Sequence, residues 1–366
     1  MTVAMTMHHT RHAPRVPLPR RAAARCSAVL AQASILLALS ACASDEVTNP
    51  GPSSTGKSAV ASVEYIGTRA ALFLDTGTGQ RTKVVFNGAS DPIPGNSPLL
   101  PSLADANLLA LGPLSWSPTG NKLAMVATLA YDQSEVVVAN ADGSAPRVAS
   151  PNTQIILSAP DWSPDESKLA YAMSTLGHAL GVDIFVTDLT TNQVQRLTTG
   201  LNYSQLGGSI RFSSDGRFVF YSRPVAEGGA PLFDKVCEVW RIELATGARI
   251  RLADGINGTV QAISRSGTWA LVIRRTGVLP GGDFDRALVR VPLTGSGPEL
   301  SLIPKGLVQY AHLTNDDLRA IYAIDEATVA GSTALAFRSV AAVGGEVVAV
   351  RGTGAQTIVA DEFFRP

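Results

Sequence analysis

The chain is poor in the side chains that most catalytic sites depend on. Its 366 residues include five histidines and three cysteines, and aromatic residues make up only 6%. Three of the histidines lie among the first twelve residues, which leaves His178 and His312, far apart and without a ligand cluster near either. Two isolated imidazoles do not make a metal site, and no metal or other cofactor is expected. No Gly-x-Ser-x-Gly elbow is present, which excludes a serine-hydrolase domain of that type. Charged residues are also scarce, at 16%, and no basic excess exists to attract nucleic acid. Long helical periodicities are missing too. The apolar stretches are short, rich in Val, Ile, Leu and Ala, and separated by turn residues, which predicts an all-β fold.

The formal net charge of zero hides an uneven distribution. Residues 1–41 hold Arg11, Arg15, Arg20, Arg21 and Arg25 and no acid, so the remainder carries 25 basic against 30 acidic residues. After Arg25 an apolar run extends from Ala28 to Leu39, broken only by Gln32 and Ser34. The interval to Cys42 is too short for a membrane-spanning helix, which needs about 20 residues. It reads instead as a signal peptide. The sequence Leu39-Ser40-Ala41-Cys42 at its end resembles the bacterial lipobox. That resemblance implies cleavage before Cys42, acylation of its thiol and new amine, and membrane anchoring through several acyl chains. Ala43, where Asp favours inner-membrane retention, points to the outer membrane. Arg20-Arg21 is similar to a twin-arginine signal, but Ala22, Ala23 and Ala24 do not fit it, so general export is expected. Residues 42–54 then read as a tether rich in Ser, Thr, Pro and Gly. Cys26 lies in the removed segment, so Cys237 is the one cysteine of the body and is expected to be a small buried hydrophobe.

The rest of the chain is organised by an internal repeat. One copy reads Leu114-Ser115-Trp116-Ser117-Pro118-Thr119-Gly120-Asn121-Lys122-Leu123-Ala124. Others are Pro160-Asp161-Trp162-Ser163-Pro164-Asp165-Glu166-Ser167-Lys168-Leu169-Ala170 and Ile210-Arg211-Phe212-Ser213-Ser214-Asp215-Gly216-Arg217-Phe218. Weaker copies begin at Ile263-Ser264-Arg265-Ser266-Gly267 and Leu313-Thr314-Asn315-Asp316-Asp317. The anchors Trp116, Trp162, Phe212, Ile263 and Leu313 are spaced by 46, 50, 51 and 50 residues. Each copy predicts a hairpin, with Ser-Pro-Asp-Gly-type residues turning the chain. A second strand pair follows each, as at Ile184-Phe185-Val186-Thr187-Asp188-Leu189. Four strands per period of about 50 residues is the mark of a propeller blade.

These hairpins, each followed by an Ile-Phe-Val-x-Asp-Leu-like strand, resemble the TolB-type propeller repeat over residues 55–366. The resemblance implies a six-bladed β-propeller of four-stranded antiparallel blades. Six outer strand pairs accompany only five inner hairpins, so the sixth hairpin is expected to be split between the chain ends. Phe364-Arg365-Pro366 would supply one half and Thr55-Gly56-Lys57-Ser58-Ala59 the other, and the ring would be closed by N- and C-terminal strands. TolB is a periplasmic partner of peptidoglycan-associated lipoprotein and the Tol proteins. Its N-terminal α/β domain has no counterpart expected between Cys42 and the first repeat, which argues against a shared Tol role.

Two motifs invite a chemical reading that their context does not support. Gly51-Pro52-Ser53-Ser54-Thr55-Gly56-Lys57-Ser58 satisfies the Walker A expression, but polar tether precedes it and a strand pattern (Val60, Val63, Tyr65) follows. A phosphate loop needs a buried strand before it and a helix after it, so no nucleotide is expected. Asp316-Asp317 falls at the Asp-Gly position of the repeat and reads as turn chemistry. His178 reads as a solvated or partner-facing loop residue, and His312 as structural.

The long connections at 87–113, 175–182, 224–236 and 275–286 share one face of the blades, and long loops on a rigid scaffold are where binding usually lives. They carry the candidate partner-binding residues Phe233, Asp234, Lys235, Asp283, Phe284 and Asp285, with Leu99 and Leu100. Asp283 and Asp285 lack the further ligands of a calcium loop. The expected function is an envelope lipoprotein that presents a protein- or glycan-binding platform. The alternative is a propeller enzyme, a polysaccharide lyase or hydrolase, with its site in the central channel, because fold does not decide function. A channel cluster of carboxylates and arginines would favour the enzyme. An apolar channel and an apolar patch on the long-loop face would favour the platform.

Overall fold

The computed structural model describes residues 59–66, 69–76, 81–84, 110–130, 133–141, 145–150, 155–174, 182–199, 201, 209–225, 236–278, 284–294, 297–325, 335–351 and 357–358. All regular structure among them is β. Five antiparallel sheets follow one another along the chain, each of four strands in sequence order. Blade I is β4 (Ala110–Trp116), β5 (Lys122–Ala130), β6 (Gln133–Asn140) and β7 (Arg147–Val148). Blade II is β8 (Asp161–Trp162), β9 (Lys168–Ser174), β10 (Val182–Asp188) and β11 (Val194–Arg196). Blade III is β12 (Ile210–Phe212), β13 (Phe218–Pro224), β14 (Val236–Glu243) and β15 (Arg249–Asn257). Blade IV is β16 (Thr259–Ile263), β17 (Trp269–Val278), β18 (Phe284–Pro292) and β19 (Leu300–Ile303). Blade V is β20 (Val308–Leu313), β21 (Arg319–Asp325), β22 (Leu335–Ala341) and β23 (Val347–Arg351).

A further sheet joins β1 (Ala59–Ile66), β2 (Arg69–Thr76), β3 (Arg81–Val84) and β24 (Thr357–Ile358) in the order β24-β1-β2-β3. Val63 stands opposite Ile358 and Glu64 opposite Thr357. The structure therefore gives five blades, against the six expected, plus this N-terminal sheet described in its backbone. The divided hairpin expected for the sixth blade, from residues 55–58 and 364–366, lies outside the described residues. The Walker-like octapeptide runs into a strand, since β1 opens at Ala59.

Among the described residues, the five blades pack face to face through four apolar slabs between consecutive blades. Val126, Val136 and Val138 of blade I meet Trp162, Leu169 and Tyr171 of blade II. Ile184 and Val186 of blade II meet Phe212, Val219 and Tyr221 of blade III. Phe220, Cys237 and Val239 of blade III meet Val260, Val272 and Val289 of blade IV. Leu271, Ile273 and Leu288 of blade IV meet Leu313, Tyr322 and Val340 of blade V. On β13 the alternation is explicit: Val219 and Tyr221 face one neighbour and Phe220 the other. A strand buried on both sides reads as a continuous apolar run rather than an alternating one, which explains sequences such as Ala170-Tyr171-Ala172-Met173.

The repeated turn is built the same way five times. The hydroxyl residue after each anchor is Ser117, Ser163, Ser213, Ser264 or Thr314. Its N–H donates to the carbonyl five residues on at 2.9–3.0 Å, and its carbonyl accepts from the N–H three residues on at 2.8–3.0 Å. Its side-chain oxygen accepts the N–H of the residue that opens the next strand, at 2.9–3.2 Å. The residue at the bend has φ between 56° and 69° and is Gly120, Glu166, Gly216, Gly267 or Asp317. In three copies the preceding Asp accepts the hydroxyl proton at 2.6 Å. That bond from Ser163 is the main reason the Asp165 carboxyl is pulled down to about 2.

Gly267 shows how closely turn and neighbour fit. A Cβ there would stand 2.5 Å from Cζ of Phe220, a buried ring of the preceding blade. At Gly247, also left-handed, nothing lies within 4 Å. Gly267→Ala is therefore expected to cost about 2–4 kcal/mol, from overpacking plus backbone strain. Gly247→Ala should cost only the left-handed strain, roughly 1–2 kcal/mol. Denaturant midpoints of the two variants check the difference, and equal losses would contradict the packing argument.

Candidate functional site

The polar groups nearest the blade axis come from two positions of the repeat, the residue before each anchor and the residue two beyond it. Asp161, Arg211 and His312 precede their anchors; Arg265 and Asn315 follow theirs. Short inner strands and one-residue offsets bring four of them together. Arg265 of blade IV lies at the centre. It donates from Nη1 and Nη2 to the two Asp161 carboxylate oxygens of blade II at 3.4 and 3.2 Å. Nη1 also reaches the carbonyls of Trp162 (3.3 Å) and Phe212 (3.4 Å). Nη2 and Nε donate to the Asn315 side-chain and main-chain oxygens of blade V, at 2.9 and 3.2 Å.

The remaining members extend the cluster to blades I and III. Asp317 Oδ2 accepts the Arg265 backbone N–H at 2.6 Å, while its Oδ1 lies 2.9 Å from Arg211 Nη2. That second approach is a charge contact without hydrogen-bond alignment, because Nη2 donates to the Thr314 carbonyl at 2.9 Å. Asp161 Oδ2 accepts the Phe212 N–H at 2.7 Å. Asn315 Nδ2 reaches back to the Trp116 carbonyl of blade I at 3.3 Å. The first and last of the five blades thus meet across the axis. Two carboxylates face two guanidiniums, and Arg211 and Arg265 are both buried.

Burial is the main influence on Asp317 and pushes its carboxyl above the usual range, while Arg211 pulls it the other way. The cluster is almost fully occupied with itself. Arg211 Nε and Asp317 Oδ1 are its two buried polar atoms without an aligned hydrogen bond. Among the described residues no group of three or more His, Cys, Asp or Glu is placed to hold a metal ion.

A second recurrent position lies five residues before the end of the third strand, where Glu135, Asp183 and Glu238 stand in consecutive blades and all are buried. Asp183 pairs with Arg196 and accepts the Thr198 hydroxyl at 2.9 Å. Glu238 accepts from Arg223 and Arg251 at 2.8 Å and from Trp240 Nε1 at 2.9 Å. Burial raises the Glu238 carboxyl, but those three donors outweigh it and leave the group below its ordinary value. Burial alone pushes Glu135 upward. Asp183 clamps β10 to β11, and Glu238 clamps β14 to β13 and β15.

The expected partner-binding residues separate into two groups. Phe233, Asp234, Lys235 and Asp283 lie outside the described residues, as do Leu99, Leu100, His178 and Cys42. Phe284 and Asp285 are strand residues rather than loop residues, with Phe284 opposite Val278 and Asp285 opposite Gly277. The loop expected over 275–286 is shorter because a bulge between Arg275 and Gly277 lets β17 and β18 continue pairing. Val225, Val236 and Val278 are exposed near these positions. Val225 and Val236 flank the Phe233 loop, joined by a 2.8 Å backbone bond, and Val225 and Val278 are 53% and 57% exposed. Cys237 is buried as expected, and His312 is half-buried with its ring 5.9 Å from that of Tyr310.

The reading of Asp316-Asp317 as turn chemistry holds for Asp316, which accepts from Thr314 and from the Leu318 N–H. Asp317 departs from it. Its backbone occupies the bend, but its carboxylate is an axial group. Sequence reasoning missed the axial cluster although every member lies inside a quoted repeat. The available signal was charge or amide at positions filled by Pro118 and Pro164, or next to an apolar anchor.

If the cluster ties the blades together, Arg265→Met should cost about 2–4 kcal/mol, because it leaves the half-buried Asp161 without its cation. Adding Asp161→Asn should restore part of that loss, giving a coupling of about 1–3 kcal/mol in a double-mutant cycle. Additive losses in urea unfolding would show that the two groups act independently.

No protein-family model matches the chain, and no curated protein matches it. Solved structures do. TolB from Acinetobacter baumannii is 17% identical with a TM-score of 0.55, over 85% of this chain and 66% of that one, just under two thirds of its length. A nidogen/laminin complex is 9% identical with a TM-score of 0.49, over 85% and 94% of the two chains. Pyrococcus horikoshii acylaminoacyl peptidase is 18% identical with a TM-score of 0.37, over 63% of this chain and 38% of that one. At these identities the likeness concerns fold alone, and the fold is an all-β propeller of the TolB-like kind.

Proposed function

We propose that the protein is an exported envelope lipoprotein, anchored through Cys42, whose propeller binds a protein or glycan partner at the long-loop rim of blades III and IV. The observation that carries this reading is the exposed apolar rim of Val225, Val236 and Val278, on adjacent blades, around the segments that hold Phe233 and Phe284. A rigid scaffold with apolar and aromatic groups beside Asp234, Lys235 and Asp285 fits a partner interface, whose anchors are typically aromatic. Export and anchoring are supported by the basic and apolar N-terminal segment and Leu39-Ser40-Ala41-Cys42. Ala43 supports the outer membrane as destination.

The N-terminal sheet serves in this reading as the sixth blade. Its order, β24-β1-β2-β3, repeats that of blade I, and the Asn315–Trp116 bond supports an arc whose ends approach each other. Joining the chain ends in one sheet would remove the open edges of the ring. A second reading, lyase or hydrolase chemistry on the axis, draws support from Arg211 Nε and Asp317 Oδ1 alone.

Deleting residues 357–366 is expected to lower the melting temperature by roughly 10 °C or more, through loss of the closing strand. Unchanged melting would remove the case for closure. Phe233→Ala and Phe284→Ala are each expected to weaken crosslinked capture of the partner in intact cells roughly tenfold or more, with melting unchanged for Phe233→Ala. Recovery of the same species at full yield from both variants would reject the binding site.

A further inference from the structure

Of the eight large apolar side chains exposed among the described residues, four gather at the end of blades IV and V opposite the long loops. Leu318 lies in the β20–β21 turn and is 66% exposed; Val343 lies in the β22–β23 turn and is 74% exposed. Leu300 and Val347 are the first residues of β19 and β23, immediately after the turns on that face. Leu318, Val343 and Leu300 lie close together. The Ala342 N–H donates to the Leu318 carbonyl at 2.8 Å, which joins the two turns of blade V. A Cβ on Gly344 would stand 3.9 Å from Leu300 Cδ2, which links blade V to blade IV. The equivalents of Leu318 in the other blades are Asn121, Ser167, Arg217 and Thr268, so the patch belongs to this sector and not to the repeat.

The N-terminal sheet has β1 in the place that β5 holds in blade I, and in the five blades every such strand starts at the short-turn face. With that sheet as the sixth blade, as proposed above, Ala59 enters the fold on the side where Leu318 and Val343 are exposed. Only residues 43–58 separate it from Cys42. Sixteen residues rich in Ser, Thr, Pro and Gly span roughly 20–25 Å as a coil, and at most about 55 Å when fully stretched.

We infer that the Leu318–Val343 patch rests on the lipid surface in which the acylated Cys42 is embedded, so that the long-loop rim points away from the membrane. This rests on the lipoprotein reading above. Exposed aliphatic groups at a water–lipid boundary gain by inserting beside the headgroups, and a short tether keeps them at high local concentration. The exposed charges flanking the patch, Glu299, Asp316 and Glu346, are all acidic. The contact is therefore apolar, and it suits a zwitterionic lipid surface better than an anionic one.

The test uses the mature chain acylated at Cys42, reconstituted in phosphatidylcholine vesicles. Cys237 is buried and Cys42 is blocked by lipid, so a polarity-sensitive dye can be placed selectively on Val343→Cys. Thr190→Cys, at the equivalent turn of blade II, serves as control. Dye emission at position 343 is expected to rise about two- to threefold on reconstitution, with a blue shift, and to stay near its aqueous value at position 190. Adding Leu318→Glu should return the signal at 343 to that of the control. If the protein carries no acyl mass and does not float with vesicles, the lipoprotein reading fails and this inference with it. If it floats while both dyes report the same aqueous environment, the inference alone is wrong. A rise at 343 that needs an envelope protein extract rather than lipid would assign the patch to a protein partner and overturn it.

Discussion

The guanidinium of Arg265 sits where five blades converge, and its surroundings set the terms for everything around the axis. It touches side chains or carbonyls of blades II, III and V, and Asn315 carries the connection on to blade I. A buried cation is tolerable only when its donors are satisfied and its charge is answered, and here Asp161 and Asp317 do so from different blades. Each blade must therefore hold its inner strand at a fixed distance from the centre. The apolar slabs between blades supply the adhesion but little direction, since hydrophobic burial is non-directional. The charged cluster supplies the geometry that the slabs do not.

Polar and apolar groups are also divided along the axis. At the short-turn end the polar groups bond chiefly to one another. At the long-loop end, exposed valines surround the loops of blades III and IV. Where the enzyme and platform readings compete, both diagnostic features are present: a charged axial cluster and an apolar rim. The Arg265 guanidinium donates to six acceptors of the protein, while Arg211 Nε and Asp317 Oδ1 have no aligned hydrogen bond.

Much of the fold was legible because the repeat is written in turn chemistry. The hydroxyl after each anchor makes the same three bonds in all five blades, so its identity is constrained even where the anchor has drifted from Trp to Ile or Leu. The axial cluster was not legible for the converse reason. Asp161 and Arg211 share one repeat position, Arg265 and Asn315 another, and each differs from its equivalents in the other blades, so no period announces them. Phe284 and Asp285 were read as loop because Gly281-Gly282-Asp283 interrupts the strand pattern, whereas a bulge allows the two strands to keep pairing across it.

Taken alone, the amino-acid order determined that the chain forms antiparallel four-stranded units at a period of about 50 residues. That follows from local rules, hydrophobic alternation and turn preference. Which residues meet at the centre was decided only by tertiary structure, as was the direction in which each apolar surface faces. Those relations join positions 100 or more residues apart through the curvature of stacked sheets, and no local preference encodes that curvature.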